Sequence, residues 1–101
     1  MFLEKIMVIR YGKGMTKNGN VEINLNERCV HDYFNCECFN YKRNNYSNYS
    51  VQVTSIKEYV QLFVSDIVEG KFTVFSTIEN KDCSFYWTVF CDKEEQEYMG
   101  F

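Results

Sequence analysis

The sequence predicts one α+β domain spanning residues 1–101, in which a mostly antiparallel sheet of four to six strands packs on one main helix. A chain of 101 residues has the length of one domain, and 46% of its residues are hydrophobic, which is enough for a core. Three patterns predict the fold class. They are alternating apolar and polar residues over 21–25 and 49–53, a helical spacing over residues 55–68, and two strand-like runs separated by only two residues.

The N-terminal part of the chain predicts a first hairpin. Residues 5–11 contain an unbroken apolar run from Ile6 to Ile9, typical of a buried strand. Residues 21–25 alternate apolar and polar side chains, as a half-buried strand does. The glycines between them, including those of Gly12-Lys13-Gly14, predict a connecting loop.

The middle of the chain has two interpretations. In one, Asn26 caps a short helix, and in the other residues 36–41 form a strand. We favour a short helix or turn followed by a strand. Residues 49–53 alternate again and predict a further strand, with residues 42–48 as the turn before it.

The predicted helix covers residues 55–68. Ser55 and Glu58 have the spacing of a capping box, in which each side chain bonds a backbone N–H of the first turn. Apolar residues then recur at three- and four-residue intervals from Ile56 to Ile67, which would face a core. Gly70 lies where a left-handed C-terminal cap is expected.

The last predicted element is a β-hairpin formed by residues 71–79 and 82–91. A two-residue connection at Asn80-Lys81 would place Phe72 opposite Val89 and Val74 opposite Trp87 on a core face. The other face would carry Phe75, Tyr86 and Phe90.

The charge distribution bears on the class of partner. The net charge is −3, with seven basic and five acidic residues in 1–50 but four basic and nine acidic residues in 51–101. A continuous basic face is absent, so direct nucleic-acid binding is not expected. Charges interrupt the N-terminal apolar run early and no stretch approaches membrane-spanning length, so a cytoplasmic protein without a membrane association is expected.

Catalysis and metal binding have little support in the sequence. One histidine and no converging set of titratable residues predict a protein that is not an enzyme and uses no cofactor. The alternative is a small zinc- or nucleic-acid-binding module whose metal ligands are Cys29, His31, Cys36 and Cys38, combined with the Tyr/Lys/Arg loop of residues 41–49. Against it, the two cysteines of a Cys-x-Cys pair in a strand lie about 6–7 Å apart, too far for one tetrahedral ion.

The leading hypothesis is therefore a small protein-binding domain that inhibits or neutralises a macromolecular partner. Toxin-immunity proteins and phage anti-defence proteins such as anti-CRISPR proteins share its size and charge, and a nuclease or nucleoprotein complex is the expected target class. A homodimer is a further use for an exposed aromatic face. The expected binding residues are Tyr41, Lys42, Arg43, Tyr46, Tyr49, Phe75, Tyr86, Phe90, Glu94 and Glu95.

Acidic side chains add a second element to this hypothesis, because they can imitate the charge of nucleic acid against a basic surface. The residues in question are Asp66, Glu69, Asp92, Glu94, Glu95 and Glu97.

Overall fold

A computed structural model of the chain describes residues 2–27, 38–42 and 44–97, and this part of the chain contains strands and turns but no helix. The strands are β1 (Phe2–Met15), β2 (Asn20–Asn24), β3 (Asn45–Ser55), β4 (Leu62–Val64), β5 (Lys71–Ser76) and β6 (Ser84–Glu97). The predicted α+β class is therefore wrong, because these strands form two sheets rather than one sheet on a helix.

The strands form two three-stranded antiparallel sheets that pack face to face. Sheet A has the order β1-β6-β3, and sheet B has the order β2-β5-β4. Side chains from both sheets meet in one core, as expected when alternate residues of each strand face inward. Its fully buried members are Leu25, Phe39, Phe72, Val74, Phe85, Val89 and Cys91.

The predicted helix over residues 55–68 is absent. Ser55 ends β3, and β4 then pairs with β5, so that Leu62 lies opposite Ser76. The Ser55 hydroxyl does interact with Glu58, but it donates to the Glu58 carbonyl at 2.6 Å, which closes a turn instead of capping a helix. The segment is rich in β-branched and aromatic residues, which suit strands, and sheet pairing overrides its helical spacing.

The predicted hairpin of residues 71–79 and 82–91 is also wrong. Strand β5 lies at the centre of sheet B and β6 at the centre of sheet A, so consecutive strands belong to different sheets. The inward faces were nevertheless assigned correctly, because Phe72, Val74, Phe85 and Val89 are all buried. Pairing with β1 gives β6 fourteen opposed residues, more than a hairpin with β5 provides.

Gly19 and Gly70 both lie in tight turns between strands, although Gly70 was predicted to cap a helix. Asn18 and Gly19 both have positive φ between Lys17 and Asn20, and Glu69 and Gly70 do so between Val68 and Lys71. Two successive residues in that region define the turn type whose twist suits β-hairpins. Gly70 therefore ends no helix, but closes the turn between β4 and β5.

The glycine pair Gly12 and Gly14 lies inside β1 and not in a loop. Gly12 is opposite Trp87 and Gly14 is opposite Phe85 in the β1–β6 register. A Cβ atom on Gly12 would lie 2.7 Å from the Trp87 ring, and one on Gly14 would lie 2.6 Å from the Phe85 ring. The missing side chains thus provide the space that these two inward aromatic rings occupy.

Asn26 does not begin a described helix. Its amide nitrogen Nδ2 donates to the Glu69 carbonyl at 2.8 Å, and its Oδ1 accepts from the Tyr41 N–H at 3.1 Å. Asn26 therefore connects the end of β2 to the β4–β5 turn and to the segment that precedes β3. The proposed short helix after Asn26 falls largely in residues 28–37, outside the described part of the chain.

Candidate protein-binding face

The outer surface of sheet A carries a group of exposed or half-buried apolar side chains, with Lys13 and Thr88 between them. On β1 the inward positions are Val8, Arg10, Gly12 and Gly14, so the residues between them point outward. Met7 and Tyr11 are 66% and 79% exposed, and Tyr86 on the adjacent strand is 56% exposed. We call this surface the apolar face, and it consists of Met7, Ile9, Tyr11, Met15, Tyr86 and Phe90.

The register of sheet A brings these residues together. Ile9 lies directly opposite Phe90, and Tyr86 lies opposite Lys13, between Tyr11 and Met15 along the neighbouring strand. On the far side of β6, the outward residues of β3 are polar, namely Ser50, Gln52 and Thr54. An apolar centre beside a polar margin is the usual composition of a protein–protein interface.

One end of the apolar face is acidic. Asp92 lies opposite Met7, and its carboxylate accepts a hydrogen bond from Asn48 Nδ2 at 2.9 Å. Glu94 follows two residues later on the same side of β6 and is half-buried. Glu95 belongs to the strand, but its side chain lies outside the described part, as does that of Glu97. Asp66 and Glu69 lie next to the β4–β5 turn of sheet B, so the predicted acidic group is divided between the two sheets.

Sequence reasoning missed the β1 contribution to this face. The run from Ile6 to Ile9 reads as a strand covered on both sides, whereas sheet B covers only one side of β1. A signal was present: Ile9 and Tyr11 alternate with Arg10 and Gly12, which indicates two different faces.

Two tyrosines predicted to bind a partner, Tyr46 and Tyr49, make contacts within the molecule. The Tyr46 ring stacks on the buried Phe39 ring at 3.9 Å, and its hydroxyl accepts hydrogen bonds from the Asn40 N–H and from Asn44 Nδ2. Tyr49 packs against the core, and burial, together with the nearby Cys91 and Tyr46, raises its pKa to about 12. Both rings therefore present less surface to a partner than their positions in a polar loop suggested.

Tyr41, a further predicted binding residue, lies beside Asn26 and donates its N–H to Asn26 Oδ1. Tyr41 is half-buried, and the ammonium of the exposed Lys42 is 6.0 Å from the centre of its ring. That distance is the outer limit of a cation–π contact. Arg43 lies outside the described residues.

Phe75 is separated from the other predicted aromatic residues. It is 43% exposed on the outer surface of sheet B, where it lies opposite Phe63. Tyr86 and Phe90 point away from the opposite sheet. The predicted patch of three aromatic residues is thus divided between the two outer surfaces of the molecule.

The described cysteines are Cys38, Cys83 and Cys91, and the last two are buried thiols outside any disulfide. Burial raises the pKa of the Cys91 thiol, an effect that the Arg10 guanidinium opposes, so this thiol is poorly suited to nucleophilic chemistry. Cys83 is buried, and its thiol contacts Ser76, Glu58 and the Lys81 carbonyl. Within residues 2–27, 38–42 and 44–97, no three potential metal ligands cluster. Cys29, His31 and Cys36, the other residues of the alternative zinc site, lie outside these ranges.

Comparisons with known proteins add no assignment, since no protein family, curated protein or solved structure matches the chain. The described residues include no helix with the length and apolarity needed to cross a membrane.

Proposed function

We propose that this protein is a non-enzymatic binding domain that attaches to a macromolecular partner and neutralises it. The observation that carries the proposal is the apolar face, where Met7, Tyr11 and Tyr86 are each more than half exposed. Large contiguous apolar patches on a protein surface usually mark sites of association. Tyrosines are especially effective there, because each provides a large contact area with few rotatable bonds.

The arrangement of the face supports blocking better than catalysis. The sheet surface is held by hydrogen bonds on both sides of β6, so it can cover a partner without reorganising. The proposed inhibitor is of the immunity-protein or anti-CRISPR kind, and the acidic groups Asp92 and Glu94 suit a basic margin such as that of a nuclease. The unpaired thiols of Cys83 and Cys91 fit a reducing cytoplasm as the place of action.

The test compares two outer surfaces of the same molecule. Wild type, Tyr11→Ser, Tyr86→Ser and the control Phe75→Ser are immobilised and exposed to an extract of the organism that encodes the chain. We expect wild type and the control to retain the same protein, while each face variant loses at least about 30-fold in affinity for that protein once it is purified. The activity of the purified partner is then measured with each variant added.

Inhibition by wild type and by Phe75→Ser, but not by the two face variants, is the expected result. Equal binding by all four chains would place the interaction elsewhere and overturn the role of the apolar face. A partner that binds through the face but keeps its full activity would overturn the inhibitory function. Circular dichroism melts of all four chains ensure that lost binding does not reflect lost folding.

A further inference from the structure

Strand β1 forms one edge of sheet A. It pairs with β6 over its whole length, and among the described residues no strand pairs with its other side. Its residues 7–15 alone extend about 30 Å at roughly 3.4 Å per residue. Such an edge presents a row of backbone N–H and C=O groups, which is the surface that a further strand recognises.

The odd-numbered residues of β1 direct their backbone groups toward this edge. Thr16, the residue after β1, donates its N–H to the Cys83 carbonyl at 2.9 Å, so even-numbered residues are oriented toward β6. Residues alternate between the two sides in an antiparallel pair. In agreement, the Ile9 carbonyl accepts a hydrogen bond from the Arg10 side chain at 3.0 Å. At Met7, Ile9 and Tyr11, backbone groups facing the edge therefore coincide with exposed apolar side chains.

We propose that a second copy of the chain pairs with this edge, so that two β1 strands run antiparallel about a two-fold axis. The two sheets A then join into one sheet of six strands, and the two apolar faces lie on the same side of it. A strand that complements this edge needs apolar residues at alternate positions beside Met7, Ile9 and Tyr11, and β1 itself has that pattern. Identical strands can satisfy each other in this way because a two-fold contact uses the same surface twice.

The available surface fits a weak, specific dimer. The exposed parts of Met7, Ile9, Tyr11 and Met15 amount to on the order of 500 Å². Edge pairing leaves these side chains on the open face of the joined sheet and covers only their flanks, so the interface stays below the about 600 Å² per partner of the smallest stable interfaces, as suits weak association. Pairing over residues 7–15 supplies up to about ten backbone hydrogen bonds, a typical number for an interface. Lys13 restricts the register, because two lysines directly opposite each other repel.

Sedimentation equilibrium of the isolated chain tests the association, from about 1 µM to about 500 µM, a range that brackets a micromolar dissociation constant. We expect the mass to rise from one chain to two. Ile9→Lys introduces a charge at the edge and should weaken association at least about tenfold. The control is Phe75→Lys on the outer surface of sheet B, because Phe75 (43%) and Ile9 (46%) are exposed to a similar extent. The Phe75→Lys chain should dimerise as wild type does. If Ile9→Lys fails to fold, Tyr11→Lys replaces it at a more exposed position.

Residue-resolved amide exchange then identifies the edge. At high concentration we expect the amides of Ile9, Tyr11 and Lys13 to become protected, while those of Val8 and Gly12 are protected at every concentration by β6. A chain that stays monomeric over the whole concentration range would overturn the proposal that a second copy pairs with the β1 edge. A dimer in which the odd-numbered amides still exchange rapidly would overturn edge pairing. Neither result depends on a foreign partner, so the proposed function is tested separately.

Discussion

The ring of Phe72 on β5 meets the ring of Trp87 on β6 edge-on, with ring centres 6.0 Å apart and planes inclined by 75°. Because β5 belongs to sheet B and β6 to sheet A, the contact crosses the space between the sheets. Edge-to-face aromatic pairs at this separation stabilise a core beyond the area that they bury. The contact therefore reports directly on how the two sheets face each other.

A double-mutant cycle measures this contact. Phe72→Leu and Trp87→Leu should show a coupling energy of about 0.5–1.5 kcal/mol in denaturant unfolding followed by circular dichroism. The control cycle combines Phe72→Leu with Tyr86→Leu, because Tyr86 lies on the outer surface of sheet A. That cycle should be additive within about 0.3 kcal/mol. Equal coupling in both cycles would contradict the facing arrangement of the sheets.

The sequence was sufficient to predict inward faces but not strand partners. The two-residue alternation at Phe72, Val74, Phe85 and Val89 depends only on the geometry of a single strand, and those residues are buried as expected. Which strands pair depends on contacts between distant segments, such as those of β1 with β6 at opposite ends of the chain. A tight loop between two strands predicts a hairpin, but this chain changes sheets at that point.

The helix prediction failed for a related reason. Apolar spacing over a short segment fits either a helix or a strand with its flanking turns, and the segment's partner decides between them. Of the candidate site, the outward positions Tyr86 and Phe90 were predicted, whereas Met7, Ile9 and Tyr11 were not. Recognising those three as exposed requires knowing that sheet B covers only one side of β1.

The backbone conformation of Lys57 distinguishes the observed turn after β3 from the helix predicted over residues 55–68. Its φ is +64°, in the left-handed region where a residue with a Cβ atom is strained by about 1–2 kcal/mol. We expect Lys57→Gly to leave the free energy of unfolding unchanged or raise it by up to about 1 kcal/mol, since glycine relieves that strain at the expense of a more flexible unfolded chain. In a helix the same change would cost about 1 kcal/mol.

Gln61→Gly is the matched control, because Gln61 is exposed in the same connection and lacks a positive φ. We expect it to lower the free energy of unfolding by about 0.5–1 kcal/mol in urea titrations. Destabilisation of similar size by both glycine substitutions would contradict the left-handed turn at Lys57.

Gly14 tests the fit between β1 and the ring of Phe85. Gly14→Ala places a Cβ atom 2.6 Å from the far end of that ring, so the core must shift, and we expect a loss of about 1–3 kcal/mol in the free energy of unfolding. Lys13→Ala, at the exposed neighbouring position, should change it by less than about 0.5 kcal/mol. Adding Phe85→Leu to Gly14→Ala removes the clashing ring atoms.

The Gly14 and Phe85 double variant should therefore be more stable than the sum of the two single changes implies. Strict additivity, or a Gly14→Ala chain as stable as wild type, would show that the ring does not lie across the glycine. Thermal unfolding by circular dichroism provides the stability ranking independently of the denaturant data.

Tyr49 makes stability depend on pH in the alkaline range. Burial raises its pKa to about 12, whereas an unfolded tyrosine titrates near 10, so the native state holds the phenolic proton more tightly. The sign follows from linkage: this contribution is fully present below pH 10 and is lost as the pH rises from about 10 through about 12. Because the ring is partly exposed, we expect the loss to be about 1 kcal/mol.

Tyr49→Phe removes the ionising group and keeps the ring in the core. Between pH 9 and 11.5, its free energy of unfolding should fall by about 1 kcal/mol less than that of wild type, measured in urea at each pH. Tyr86→Phe removes a hydroxyl from an exposed ring and should follow the wild-type curve. Each variant removes one phenol from the chain, so the difference between the two variants isolates the buried position of Tyr49. Parallel curves for wild type and Tyr49→Phe would mean that the Tyr49 phenol ionises as easily in the native state as in the unfolded chain.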